Sequence, residues 1–248
     1  MQRIRKLKRK IPHLSTEQMI EVDRLMIEDY RIDLIQMMEN AGRCLMIVAV
    51  CEFLKRRLGR KKVTILAGTG GNGGGALVCA RRLHNLGVKV NVYLSQPAHR
   101  MGSVPRHQLE ILKEMKVPIK MGEELNNIED VDLIIDGLIG YSIDGGPRGS
   151  VKDMIIWANG RGVPILALDT PSGLDLTSGE IHDPTINASA TLTLALPKQG
   201  LFSDLARSVT GRLFLGDISV PPDLYDHKRL KLKVSPKIFR DGDVVRLT

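Results

Sequence analysis

The run Val63-Thr-Ile-Leu-Ala67 leads directly into Gly68-Thr-Gly-Gly-Asn-Gly-Gly-Gly75, and a helical pattern follows over residues 76–86. The first five residues are apolar or β-branched and carry no charge, the pattern of a short strand buried on both faces. Past the glycines, Leu77, Ala80 and Leu83 recur at helical spacing, and Gly87 closes the helix. Six glycines in eight positions let the backbone approach a ligand closely, and the helix that follows offers unpaired N–H groups to a phosphate. The spacing fits neither the dehydrogenase fingerprint nor the P-loop, because no lysine followed by Ser or Thr is present. On its own the loop reads either as a phosphate cradle or as a flexible turn.

Working outward towards the C-terminus, strands are predicted over 88–94, 133–136, 165–169, 190–196 and 212–218, with helices over 107–115 and 151–159. Towards the N-terminus, Ser15 with Gln18 forms a capping-box pattern, and Met19, Val22, Leu25 and Met26 share a helix face behind it. Leu34, Met37, Met38, Ala41, Leu45 and Val48 form a second helical stripe, with the methionines read as core filler. Strands alternating with short helices predict βαβ units, hence an α/β, Rossmann-like three-layer αβα sandwich around a mostly parallel sheet. No linker or repeat interrupts the chain, so 1–248 reads as one domain with a basic arm over 1–13 and an irregular basic tail over 225–248.

The net charge of +8 is concentrated rather than spread. Arg3, Arg5, Lys6, Lys8, Arg9 and Lys10 lie in the first ten residues with no acid among them, and the rest of the chain has 30 basic against 28 acidic residues. That arm is expected to be a solvated tail, and with aromatics at only 4% nothing suggests base stacking, so nucleic-acid binding is not expected. No run of about 18 apolar residues stands out and no apolar signal core follows the basic start, which points to a cytoplasmic protein without a membrane span. Cys44, Cys51 and Cys79 lack paired spacing, and the six histidines are scattered, so neither a disulfide framework nor a transition-metal site is expected.

In an open parallel sheet, ligands sit beyond the carboxyl ends of the strands. Two predicted strands end in aspartate there. Asp136 closes Leu133-Ile-Ile-Asp136 ahead of Gly137 and Gly140, and Asp169 closes Ile165-Leu-Ala-Leu-Asp169 ahead of Thr170-Pro-Ser-Gly-Leu-Asp175. An aspartate at a strand end often serves only as a turn cap, but two beside a glycine loop on one sheet edge form a candidate site. Their carboxylates suit ion ligation, acceptance from ribose hydroxyls, or acid–base work. Lys198, after Pro197 at a strand end, reads either as a substrate contact or as a surface lysine.

These motifs, with Thr16-Glu-Gln-Met-Ile-Glu-Val-Asp23, Met37-Met-Glu-Asn-Ala-Gly42, Ala190-Thr-Leu-Thr-Leu-Ala-Leu-Pro-Lys198 and Gly211-Arg-Leu-Phe-Leu-Gly-Asp-Ile218, resemble the NAD(P)H-hydrate epimerases of the YjeF N-terminal domain family. The resemblance implies an isomerase that interconverts the R and S forms of hydrated NADH and NADPH, treating the dinucleotide as substrate and not as a hydride carrier. It implies a potassium ion held by Asn72, Asp136 and Ser172. Pyrophosphate and ribose would meet Gly71, Asn72, Gly73, Gly74 and Gly75, and also Gly140, Tyr141, Ser142, Ile143, Asp144, Gly145 and Gly146. Asp169 would reach the hydrated nicotinamide as the main acid–base group, with Asp136 acting through the bound cation. It further implies a homodimer, and a separate dehydratase that completes repair. One departure stands out: the family's Asn-Asn-Gly-Gly-Asp is Gly71-Asn72-Gly73-Gly74-Gly75 here, which keeps the backbone donors but loses a carboxylate. The alternative is a non-catalytic nucleotide-binding or interaction module of the same fold.

Overall fold

The computed structural model describes residues 3–128, 130–141 and 145–248. Nine strands are found among them: β1 (Arg5–Lys6), β2 (Lys62–Ala67), β3 (Lys89–Leu94), β4 (Ile119–Met121), β5 (Leu133–Gly137), β6 (Ile165–Leu168), β7 (Ala190–Leu194), β8 (Arg212–Gly216) and β9 (Val244–Arg246). They form one sheet in the order β1-β9-β8-β7-β6-β5-β2-β3-β4. Neighbours run parallel throughout except β8 and β9. Strand β2 lies between β3 and β5, so the chain builds outward to one edge and then restarts on the other side of β2. That restart is a topological switch point, where crevices open beyond the carboxyl ends of the strands.

Alternation along the strands separates two cores. Ile65, Ile135, Leu166, Leu168, Leu192 and Phe214 face the helices α2 (Leu34–Val48), α3 (Gly71–Asn85) and α4 (Ser103–Glu114). Leu66, Ile134, Ile165 and Ala167 face α5 (Gly149–Gly160) on the other side. This is the three-layer arrangement the alternation predicted. The capping box at α1 (Thr16–Arg24) forms in both directions, with Gln18 N–H donating to Ser15 Oγ at 3.1 Å and Ser15 N–H to Gln18 Oε1 at 2.9 Å. Helix α2 runs on as a π-helical turn (Ala49–Leu54), and the continuous stretch Leu34–Leu54 is long and apolar enough to cross a membrane by length and composition alone. In this fold its residues Leu45, Val48, Ala49 and Val50 lie in the core.

Several expectations need correction. Helix α3 starts at Gly71, not at 76, so most of the glycine run is its first turn and a half. The glycines are required by close packing: a Cβ on Gly73 would lie 2.0 Å from Gly68 O, and one on Gly74 would lie 2.4 Å from Met38 Sδ. Strands β6 and β7 stop at Leu168 and Leu194, because Asp169 (φ +65°) and Ala195 (φ +61°) turn left-handed.

The basic arm is not a solvated tail. Strand β1 pairs with β9, Leu7 N–H donates to Arg246 O at 2.8 Å, and Arg5 Nη2 donates to Ile238 O at 2.8 Å. Leu7 and Leu14 share a core cluster with Leu224, Tyr225, Leu230, Ile238 and Val245, so the tail after 225 carries a strand and packs inward. The helix α6 (Asp204–Thr210) and the edge strand β4 were not anticipated.

The α2–α3 crossing gives a test in which two effects oppose each other. Replacing glycine by alanine inside a helix usually stabilises by about 1 kcal/mol. At Gly42 the added Cβ would lie 2.4 Å from Val78 Cβ and 2.6 Å from Gly75 O, and a backbone atom cannot step aside cheaply. Gly42→Ala is therefore expected to lower the unfolding free energy by about 1–3 kcal/mol in urea titration. A gain in stability would show that the two helices are not in contact at this point.

Candidate active site

Four strand ends of the parallel core meet at one rim. At β5, the Asp136 carboxylate is fully buried and is held by backbone and hydroxyl donors. Ser172 N–H donates to Oδ2 at 2.8 Å, Ser172 Oγ–H to Oδ1 at 2.6 Å, and Leu138 N–H to Oδ1 at 3.1 Å. Burial pushes the Asp136 carboxyl up to about 6, against the pull of those donors. Among the described residues, no cationic side chain is hydrogen-bonded to it.

Asn72 lies in the first turn of α3 and ties this strand end to the next. Its Nδ2 donates to Ile139 O at 3.1 Å and to Leu168 O at 2.7 Å, which turns its Oδ1 towards Gly140. A Cβ at Gly140 would lie 2.9 Å from that oxygen, so glycine is needed for the chain to pass. The Asn72 amide, Asp136 carboxylate, Ser172 hydroxyl and Ile139 backbone are joined by hydrogen bonds into one cluster whose ligating atoms would be hard oxygens, with a single carboxylate. Such a set suits an alkali or alkaline-earth ion rather than a thiolate- or imidazole-seeking metal. One carboxylate matches one positive charge.

At the end of β6, Asp169 is buried in a left-handed conformation that costs a non-glycine residue on the order of 1 kcal/mol. At the end of β7, Ala195 turns the chain so that Lys198 folds back under it. Lys198 has no solvent exposure, and its Nζ forms an ion pair with Asp169 Oδ1. It also donates to Leu194 O at 3.1 Å. The segment is clamped from outside by Leu14, whose N–H donates to Pro197 O at 2.9 Å and whose carbonyl accepts from Gln199 N–H at 2.9 Å. Lys198 is thus a core ion-pair residue, and the surface alternative is removed.

Asp169 and Lys198 form part of the wall of a cavity of about 100 Å³ that Asn72, Gly71, Tyr141 and Asp23 also line, with Met37, Met38 and Leu168 as apolar wall. That volume is well below the roughly 300 Å³ of a full ligand pocket and has room for no more than about one ring. Tyr141 Oη–H donates to Asp23 Oδ2 at 2.6 Å.

Residues 34–200 match the family described as YjeF-related protein N-terminus. The chain belongs to that family. A relative from Dehalogenimonas lykanthroporepellens, named NAD(P)H-hydrate epimerase, is 38% identical over 96% of this chain and 94% of its own length. A relative from Moorella thermoacetica, named bifunctional NAD(P)H-hydrate repair enzyme Nnr, is 34% identical over 85% of this chain, which spans only 41% of that protein. The crystal structure of yeast ynu0, YNL200c, superposes with a TM-score of 0.81 at 25% identity, covering 96% of this chain and all of that one.

Within this YjeF-related domain, the rim brings together Asn72, Asp136, Asp169, Ser172 and Tyr141 from the sequence-derived candidates. Asp136 does not line the cavity; it sits behind it, with both oxygens engaged. Gly73, Gly74 and Gly75 are buried, and a Cβ at Gly75 would lie 2.7 Å from Leu168 Cδ2, so this position faces packing that leaves no room for a carboxylate without Leu168 moving. Gly145 and Gly146 lie beside Arg148 and His182, outside the cavity lining. Ser142, Ile143 and Asp144 fall outside the described residues. Asp23 was missed. Its signal was its place on the stripe Met19-Val22-Met26, where a charged residue is out of pattern.

Removing one member of a buried ion pair strands the other. Lys198→Met is expected to cost about 3–5 kcal/mol in urea titration, and adding Asp169→Asn to it should recover part of that loss. Simple additivity of the two losses would mean the pair is not coupled.

Proposed function

We propose that this chain is an NAD(P)H-hydrate epimerase, interconverting the R and S forms of hydrated NADH and NADPH so that a separate dehydratase can restore the cofactor. The observation that carries the reading is the buried Asp169–Lys198 pair opening on a ring-sized cavity at the switch-point rim. Family membership and the names of the relatives support it.

In the hydrate, the hydroxyl sits on a carbon bonded to the ring nitrogen. Inversion requires that C–O bond to break with its electron pair leaving on oxygen, while the nitrogen lone pair forms a C=N bond. The departing oxygen needs a proton, the cation needs negative charge nearby, and returning water needs a base. Asp169 is the main acid–base group in this reading, with Lys198 holding a proton against it. Pyrophosphate and ribose lie along the first turn of α3 and the stretch after Gly140.

The oxygen cluster of Asn72, Asp136 and Ser172 is read as a potassium site. A bound ion there would balance the buried Asp136 charge and fix the Ile139–Gly140 backbone. Exposed Ile20, Ile27, Tyr30 and Leu34, the last of them on the cavity wall, support a homodimer that buries them. The cytoplasm is the compartment proposed. The alternative, a binding module without turnover, rests on Gly75 replacing the family's aspartate.

Conversion of purified R hydrate to S hydrate by the wild-type protein tests the reading, and Asp169→Ala is expected to lower that rate by at least about 100-fold. A ligand-dependent rise in melting temperature without any interconversion would favour the binding module.

The potassium assignment carries its own pH test. A carboxyl raised in the folded state stabilises fully below its unfolded value and loses that contribution as pH rises through the folded one. For Asp136 the window runs from about 4 to about 6, and the loss is at most about 3 kcal/mol. A cation on the carboxylate removes the penalty of ionising it. Potassium, compared with tetramethylammonium, should therefore raise Tm more at about pH 7.5 than at about pH 5. Equal shifts at both would disconnect Asp136 from the ion.

A further inference from the structure

Asp23 is the one other carboxylate among the described residues that lines the cavity, and the preceding chemistry leaves it without a role. It enters from α1, a different wall from the strand ends that carry Asp169 and Lys198. It lies one helical turn beyond Met19, so it belongs to the helix's packed side and is not a solvated surface acid. Its hydrogen-bond partner is a neutral phenol, Tyr141, at 2.6 Å. Burial pushes its carboxyl above the usual range, and the groups whose charge it feels are Lys198 and Asp169 themselves. Two acid–base assemblies therefore face one small cavity from separate walls.

Inversion through a planar cation has a requirement that a single assembly does not meet. The hydroxyl departs from one face of the ring and water adds to the other, so a proton donor is needed over the first face and a proton acceptor over the second. Resting on the epimerase reading, we propose that Asp23, held by Tyr141, is the second acid–base group of the site and serves the ring face opposite to that served by Asp169 and Lys198.

In one direction, the C–O bond breaks towards the Asp169–Lys198 side. The oxygen leaves with the electron pair, takes through Asp169 the proton that Asp169 and Lys198 share, and departs as water, while the ring nitrogen lone pair forms the C=N bond. A second water attacks the carbon from the Asp23 side, its electron pair forming the new C–O bond as the nitrogen regains its lone pair. Its surplus proton passes to Asp23, on the oxygen Tyr141 does not occupy. Solvent returns that proton to the pair through Asp169, so nothing is consumed. In the other direction the two assemblies exchange roles.

Oxygen-18 exchange separates the faces. With each pure epimer in oxygen-18 water, and spontaneous exchange subtracted, the wild-type protein should both invert the carbon and label it. Asp23→Asn keeps an acceptor for Tyr141 and is expected to slow inversion at least about 100-fold. One epimer, the one whose hydroxyl faces Asp169 and Lys198, should still exchange its oxygen, while the other should not. Inversion near the wild-type rate, or exchange lost equally from both epimers, would overturn the assignment, the second outcome making Asp23 merely structural. Tyr141→Phe keeps the carboxylate but removes its phenol, and should slow inversion roughly tenfold with the same asymmetry. It decides the matter if Asp23→Asn does not fold, as judged by its melting curve and its thermal shift with NADP. Failure of the wild-type protein to invert either epimer would instead refute the epimerase reading itself.

Discussion

Backbone contact at the point where β2 and β5 part governs much of this molecule. A Cβ on Gly68 would lie 1.9 Å from Leu138 O, and one on Gly137 would lie 2.5 Å from Ala76 Cβ and 2.9 Å from Asn72 O. The two exits and the start of α3 therefore touch main chain to main chain. Only glycine permits that approach, and the approach is what sets Asn72 against both Ile139 and Leu168. With any side chain at Gly68, the helix start would move away from β5, and the oxygen cluster around Asp136 would open.

The rim is stabilised by its surroundings, not by its own charges. Asp136, Asp169 and Lys198 are all withdrawn from water, and a buried charge is costly unless matched. Asp169 is matched by Lys198, but among the described residues Asp136 is held by backbone N–H groups and a hydroxyl alone. What keeps such groups in place is the apolar sheet behind them, with Ile65, Ile135 and Leu168 in one core and Leu66, Ile134 and Ala167 in the other. Left-handed backbone at Asp169 and Ala195 adds further strain at the same rim. A large, regular core thus carries a small region that is individually unfavourable, a common division in enzymes.

Much of this was legible in the amino-acid order. The strand-ending aspartates and Asn72 could be placed on one rim because parallel βαβ topology dictates where strand ends go. The extent of α2 followed from its apolar stripe. Other features were hidden for definite reasons. Glycine is a poor helix former, so the start of α3 reads as loop until the contacts with Met38 and Gly68 are known. Six basic residues masked Ile4, Leu7 and Ile11, the apolar positions that seat the N-terminal arm. The Asp169–Lys198 pair depends on β6 lying beside β7 and on a turn at Ala195, neither of which is a property of either residue. Strand β4 is three residues at an edge, too short to show a period.

The pairing of β1 with β9 binds Arg5 to Val245 and Lys6 to Arg246, residues 240 positions apart in the sequence. Of the nine strands described, β1 comes first along the sequence, and it cannot pair until β9 has been made. Until then Leu7 has no sheet partner, and this edge stays open while the inner strands assemble in order behind it. A chain interrupted between β8 and β9 would have the inner strands in place and β8 as an unpaired border. Adding β9 against β8, and then β1 against β9, carries that border outward by two short strands.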